Sequence, residues 1–207
     1  MGYDVFDQAP AFAHACQHQY TDIVERFLTS KRVNPTAFNN WAIQMSSKNG
    51  HTDLVKLLLA DARADPTANY NYAIQYSSYM GHADVVKLLL ADKRANPAAN
   101  DNFAIRESSC NGHAAVVKLL LADGRTDPTR DNNCAIRNSS LHGRADPSAD
   151  DNEAIRLSSE MGHADVVQML LADGRTDPTA DSNCAMRVSC MHGHAAVMRL
   201  LKRTPTS

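Results

Sequence analysis

The pair Gly-His stands at positions 50–51 and returns at 81–82 and 112–113, a step of 31 residues each time. Asn34-Pro35, Asp65-Pro66, Asn96-Pro97 and Asp127-Pro128 keep the same step. The next marker, Asp146-Pro147, follows after only 19 residues, and Asp177-Pro178 is back on 31. A chain with a fixed period in this range folds as a quasi-one-dimensional stack, in which each unit buries its apolar face on its neighbours. That constraint outranks the length of 207 residues, which alone suits one or two globular domains. The expectation is a single elongated domain over 1–207 with about seven units.

One unit runs from Asp101 to Arg130, DNFAIRESSCNGHAAVVKLLLADGRTDPTR. Its first segment places Ala104, Ile105, Ser108 and Ser109 at helical spacing. Asp101 and Asn102 just ahead are side chains that accept from the free N–H groups of a helix start. Gly112 then ends the segment, as glycine does where the chain turns through positive φ. The second segment, about 114–122, carries Val116, Val117, Leu119, Leu120 and Leu121 along a broad apolar face. Asp53, Asp84 and Asp165 fall in the first turn of such segments, where the helix dipole favours a carboxylate. The run [DN]-P-T-A is a connector, because proline cannot continue a helix and Asp or Asn favours a turn. Each unit therefore reads helix, tight turn, helix, short loop.

Column comparison supports this reading. Ala11, Ala42, Ala73, Ala104, Ala135, Ala154 and Ala185 share one position. The pair behind them stays small, from Ala15-Cys16 through Ser46-Ser47, Ser77-Ser78 and Ser108-Ser109 to Ser189-Cys190. Small residues allow first helices to approach closely, while Val and Leu of the second helices fill the space behind. The earliest unit is divergent, with Gln19-Tyr20 where Gly-His is expected. Residues 1–38 are read as an N-terminal capping unit, and 203–207 as a disordered tail.

The string GHADVVKLLLAD resembles the second half of an ankyrin repeat, G-H-x-x-V-V-x-L-L-L-x-x-G. A-I-R-x-S-S-x-x-G-H is similar to its P-L-H-x-A-A-x-x-G-H half, with Ala for Pro, Arg or Gln for His, and Ser for Ala. The resemblance covers roughly 9–201 and implies an all-α, ankyrin-type α-solenoid of stacked helix-turn-helix repeats. Two features depart from the family pattern. The period is 31 rather than the usual 33, the loss falling in the connector, and the T-P-L-H tetrapeptide is absent. Blunt loop tips and little or no strand are therefore expected. Short-loop units of this kind are similar to ankyrin arrays of amoebae, lower fungi and large DNA viruses.

The short step locates a defect. Between Leu141-His142-Gly143 and Arg144-Ala145-Asp146-Pro147 there is no H-A-D-V-V-K-L-L-L-A-D-G, so the unit at 131–149 lacks its second helix. Leucines of the fourth and sixth second helices are then expected either to close the gap or to stay partly exposed. The array is expected to be weakest there.

Bulk properties exclude several function classes. A formal net charge of −2 gives no electrostatic reason to expect nucleic acid or an anionic membrane as partner. No apolar run approaches the ~18 residues of a membrane span. MGYDVFDQAP has neither a basic region nor an apolar run, so it does not read as a secretory signal. Gly2 invites a myristoylation reading, but Phe6 stands where that signal wants Ser or Thr. Five cysteines without CxxC spacing suit a reducing compartment. The expected setting is the cytoplasm, with the nucleus as the alternative.

No catalytic, cofactor or metal site is expected. His51, His82, His113 and His163 recur with the glycine, but equivalent residues on stacked helices lie ~8–10 Å apart. A shared Zn²⁺ needs every ligand nitrogen within ~2.1 Å. Cys190, His192 and His194 form one local cluster, and packing is favoured for it over a metal. No glycine-rich phosphate loop, H-E-x-x-H or G-x-S-x-G occurs. Arg106, Arg137, Arg156 and Arg187 share a column near Asp101, Asp131, Asp150, Asp151 and Asp181, which predicts an exposed ion-pair ladder.

Recognition is expected where the columns vary. In ankyrin arrays the loop tips and first helices line the partner groove, and the resemblance implies the same here. The candidates are Phe38, Trp41, Lys48, Tyr70, Tyr72, Tyr76, Tyr79, Met80, Asp101, Phe103 and Glu107. Trp41, Tyr72 and Phe103 occupy one column, which becomes Cys134, Glu153 and Cys184 later. Tyr and Trp supply large contact area with few torsions to freeze. A partly buried column packed between connectors is the competing reading. The expected function is a non-catalytic, monomeric module that binds a protein partner. The alternatives are a substrate-recruiting adaptor for a ligase or kinase on another chain, and a regulatory fragment of a larger enzyme.

Overall fold

The computed structural model describes residues 8–126 and 152–203. These residues form twelve helices and no strand. The first helices of the units are α1 (Ala9–Gln17), α3 (Ala37–Lys48), α5 (Ala68–Tyr79), α7 (Ala99–Cys110), α9 (Glu153–Glu160) and α11 (Ala180–Met191). The second helices are α2 (Thr21–Ser30), α4 (Thr52–Ala60), α6 (Ala83–Asp92), α8 (Ala114–Asp123), α10 (Ala164–Asp173) and α12 (Ala195–Leu201). The chain divides into two compact bodies, residues 1–96 and residues 97–207.

In the first body α3 packs between α1 and α5, and α4 between α2 and α6. Phe12, Val24, Ile43, Leu54 and Leu58 are buried in one cluster between the two layers. Burying an apolar side chain of this size contributes roughly 1.5–3 kcal/mol, and both layers supply such residues. The small pairs Ser46-Ser47 and Ser77-Ser78 are buried where first helices meet. Cys16 lies in the same core, and burial pushes its thiol up to about 12.

The helix starts differ from the expectation. No described helix has a side-chain hydrogen bond at its N-cap, so Asp101 and Asn102 do not cap α7. Three residues at the starts of α3, α5, α7 and α11 instead adopt the left-handed conformation: 38–40, 69–71, 100–102 and 181–183. Asn and Asp visit that region more readily than other non-glycine residues, so the same composition fits either role. The last member of each triplet is Asn. The Oδ1 of Asn40 accepts from the Asp65 N–H at 2.8 Å, that of Asn71 from Asn96 at 2.7 Å, and that of Asn152 from Asp177 at 2.7 Å. The left-handed turn thus carries the unit-to-unit bond in a connector two residues shorter than usual.

Two further fasteners recur. The His82 Nε2–H donates to the Lys48 carbonyl of the preceding unit at 3.0 Å. Its ring fills the space a Cβ would need at Gly50, which sits at φ +74°. An Asp-x-Arg clamp closes α4, α6, α8 and α10. Arg94 grips Asp92 through Nε and Nη2 and reaches back to the Ala64 carbonyl at 2.9 Å, while Arg63 pairs with Asp61 and reaches the Val33 carbonyl at 3.1 Å.

The arginine hydrogen bonds hold the Asp61 and Asp92 carboxyls below their ordinary values. A carboxyl held down in the folded chain adds stability above its unfolded pKa of about 4, and that stability is lost as pH falls through the folded value. Acid titration followed by circular dichroism should therefore show stability falling below about pH 4, less steeply in an Asp61→Asn/Asp92→Asn chain. Parallel acid curves for the two chains would contradict the clamp.

In the second body α9 packs on α7 and α11 on α9, while α10 packs between α8 and α12. The sixth unit is thus docked directly on the fourth. Val117, Ile155, Val166, Val167 and Leu170 share one buried cluster. The His163 Nε2–H donates to the Cys110 carbonyl at 3.0 Å, and Arg175 reaches the Thr126 carbonyl at 2.8 Å. Of the two outcomes left open for the leucines beside the short unit, the gap is closed. The fifth unit's missing second helix falls within 127–151, outside the described residues. So do most of the tail, at 204–207, and the first seven residues of the capping unit.

The arginine column is corrected in its partners. Arg106 pairs with Glu153 at 2.6 Å, with side chains only 11% and 8% exposed, so this pair is buried rather than part of an exposed ladder. Arg156 pairs with Glu153 and Glu160 on its own helix, at 3.2 and 3.3 Å. Arg187 matches the expectation, 3.7 Å from Asp181 at the surface, and Arg137 lies outside the described residues.

Candidate interaction surface

The predicted recognition residues separate into three groups by geometry. Phe38 and Tyr70 stand on the left-handed turns of α3 and α5, at φ 52° and 57°, and are 62% and 85% exposed. At the Phe38 position the other units have Asn69, Asn100, Asp131, Asp150 and Asp181; at the Tyr70 position they have Asn39, Asp101, Asn132, Asp151 and Ser182. A left-handed backbone costs an ordinary L-residue roughly 1–2 kcal/mol, and Asn or Asp less. The two aromatics therefore occupy positions that the backbone would fill more cheaply with the residues seen elsewhere.

A second group lies along the first helices. Tyr72 and Tyr76 stack with ring centroids 4.0 Å apart, and Tyr79 is tilted against Tyr76 at 6.3 Å. The Lys48 Nζ lies 5.8 Å from the Tyr76 ring centre, within cation–π range. Tyr79 and Met80 are exposed, at 38% and 41%. Gln75 holds the turn below them by donating through Nε2 to the Tyr70 carbonyl, as Gln44 does to Asn39. The result is an aromatic shelf on a side-chain-braced turn.

The third group is less accessible. Trp41 is half-buried and packs against the core of the first body, so packing describes it better than display. Asp101, Phe103 and Glu107 belong to the second body, each half-buried on α7. Asp101 takes the left-handed turn position at φ 53°. Beside Glu107, burial first and then the nearby carboxylates push the Cys110 thiol up.

Three sets of interacting residues escaped the sequence reading. Asn40, Asn71 and Asn152 recur with the period, and the Asp-x-Arg spacing recurs at 61–63, 92–94, 123–125 and 173–175, so both signals were present. The Arg106–Glu153 pair spans 47 residues and a skipped unit, and no local pattern announces it. Among the described residues there is no group of three or more His, Cys, Asp or Glu side chains placed to hold a metal ion. His163 and His194 spend their Nε2–H on the carbonyls of Cys110 and Glu160. No helix among the described residues is long and apolar enough to cross a membrane.

With this geometry established, comparison with known proteins bears on the fold. Residues 43–132 match the family model described as ankyrin repeats, in three copies. Over these residues the chain is similar to ankyrin repeats. The chain is also similar to the crystal structure of EF0377, an ankyrin repeat protein, with a TM-score of 0.73 and 18% identity over 99% of this chain and 100% of that one. At that identity the likeness speaks for the fold, an all-α solenoid of helix-turn-helix repeats. No curated relative matches the chain. Ankyrin repeats are generally non-catalytic modules that bind protein partners.

Proposed function

We propose that this ankyrin array is a non-catalytic recognition module that binds a protein partner through the turn tips and first helices of its first body. The single observation that carries the reading is the placement of Phe38 and Tyr70. They are exposed, large and apolar, and they sit on left-handed turns where neighbouring units use Asn, Asp or Ser. Local strain that confers no packing gain is retained where contact uses it. Tyr79, Met80 and the Lys48–Tyr76 contact extend the same surface along α3 and α5, giving aromatic anchors of the kind that dominate interfaces.

A photoreactive residue at position 70 tests which face binds. Irradiation in cell extract should link it to a discrete partner, whereas the same residue at Lys87, exposed on α6, should give none. Linking from position 87 and not from 70 would overturn the assignment.

A further inference from the structure

His82, His163 and His194 are each tied through Nε2 to a carbonyl at the end of another first helix, those of Lys48, Cys110 and Glu160. His14 and His18 have no such duty. Both are exposed, and among the described residues neither ring nitrogen has a hydrogen-bond or ion-pair partner. They stand four residues apart at the end of α1, and the His18 N–H donates to the His14 carbonyl at 3.1 Å, so helical register holds through the pair. Side chains at that spacing lie one above the other on one helix face. The two imidazole centroids are 4.3 Å apart, with planes inclined at 42°. In the next three units the same two columns hold Met45 and Asn49, Tyr76 and Met80, and Glu107 and Asn111. The first unit alone puts an imidazole in both, so stacking does not require the pair.

We infer that His14 and His18 chelate one divalent transition-metal ion of the Ni²⁺, Cu²⁺ and Zn²⁺ group. Imidazole suits these ions, and two histidines at i and i+4 on one helix face supply two ligands to a single metal. The geometry is close to what chelation needs. A metal ~2.1 Å from one nitrogen of each ring lies about 3.2 Å from each ring centre, and an N–metal–N angle of ~90–110° then separates the centres by about 4.5–5.2 Å. The rings, at 4.3 Å, need to part by less than about 1 Å, which small χ rotations of exposed side chains supply. The pair also sits at the carbonyl end of α1, where the helix dipole favours a cation. With two protein ligands, the remaining coordination positions are filled by water. Cu²⁺ should bind more tightly than Ni²⁺ or Zn²⁺.

Calorimetric titration of the full chain with Ni²⁺ alone tests this. The tightest site should weaken by about 100-fold in His14→Gln and equally in His18→Gln, because chelation makes the second contact intramolecular. The two losses should not add in the double variant, since either one already leaves a lone imidazole. His192→Gln is the control. It disrupts the stacked pair His192 and His194, whose centroids are 6.0 Å apart, and should leave the tight site intact. Thermal unfolding gives an independent reading. Ni²⁺ at about 100 times its Kd should shift the folding equilibrium of the first body by about 100-fold in the parent chain and much less in the double variant. Undiminished affinity in either single variant, or no Ni²⁺ binding by the parent chain, overturns the inference.

Discussion

Replacing Glu153 with glutamine is expected to destabilise the second body by about 3 kcal/mol. The carboxylate contacts Arg106 at 2.6 Å, and neither side chain is more than about a tenth exposed. Removing one partner of such a pair takes away the opposite charge facing a group held largely out of water, which typically costs ~3–5 kcal/mol. Glutamine keeps the shape and one acceptor, so the lower end applies. The reverse change, Arg106→Gln, should cost less, because Glu153 keeps Arg156 at 3.2 Å, and glutamine already fills this column as Gln44 and Gln75. The double variant should recover much of the loss, since a neutral pair has no buried charge to solvate. A double-mutant cycle in urea measures the coupling. Additive single effects would mean that the two groups do not share a dry site, and would undo the account of how the fourth and sixth units meet.

The second large effect is expected at Gly112. Its φ of +72° disfavours any side chain, and a Cβ there would lie 2.7 Å from the His163 ring. Alanine must therefore bear the left-handed backbone, about 1–2 kcal/mol, and push the imidazole off the Cys110 carbonyl, about 1 kcal/mol more. The sum is a loss of roughly 2–3 kcal/mol. Gly124 is the control. It has nearly the same φ, +75°, but a Cβ there would meet no atom within 4 Å, so Gly124→Ala should cost only the backbone part. Urea unfolding of the two variants separates the terms. Equal losses would mean that His163 does not pack on Gly112, and hence that the sixth unit does not sit on the fourth.

Much of this fold is legible in the sequence because a repeat states its own register. Gly50, Gly81 and Gly112 with their histidines define the helix-turn-helix unit, and the columns of Ala73 and Ser77-Ser78 mark the tight contact between first helices. The helix starts were misassigned for a physical reason. Asn is favoured both as a cap and in the left-handed region, so Asn71 alone does not say which role it plays, and its carboxamide turns out to serve the next connector. The union of the fourth and sixth units was hidden more deeply. It depends on one surface fitting another across a skipped segment, and Arg106 carries no local mark of Glu153. Among recognition candidates, composition placed Phe38, Trp41 and Tyr70 together, whereas only the backbone shows that Trp41 leans on the core and the other two project from strained turns.

The claim that Phe38 and Tyr70 serve contact rather than folding is tested most directly by exchanging them for the residue their neighbours use. In a Phe38→Asn/Tyr70→Asn chain, thermal unfolding and partner capture should be measured on the same preparation. The account predicts a melting temperature equal to or above that of the parent, because Asn suits the left-handed turn, together with loss of capture. A lower melting temperature with capture intact would contradict it.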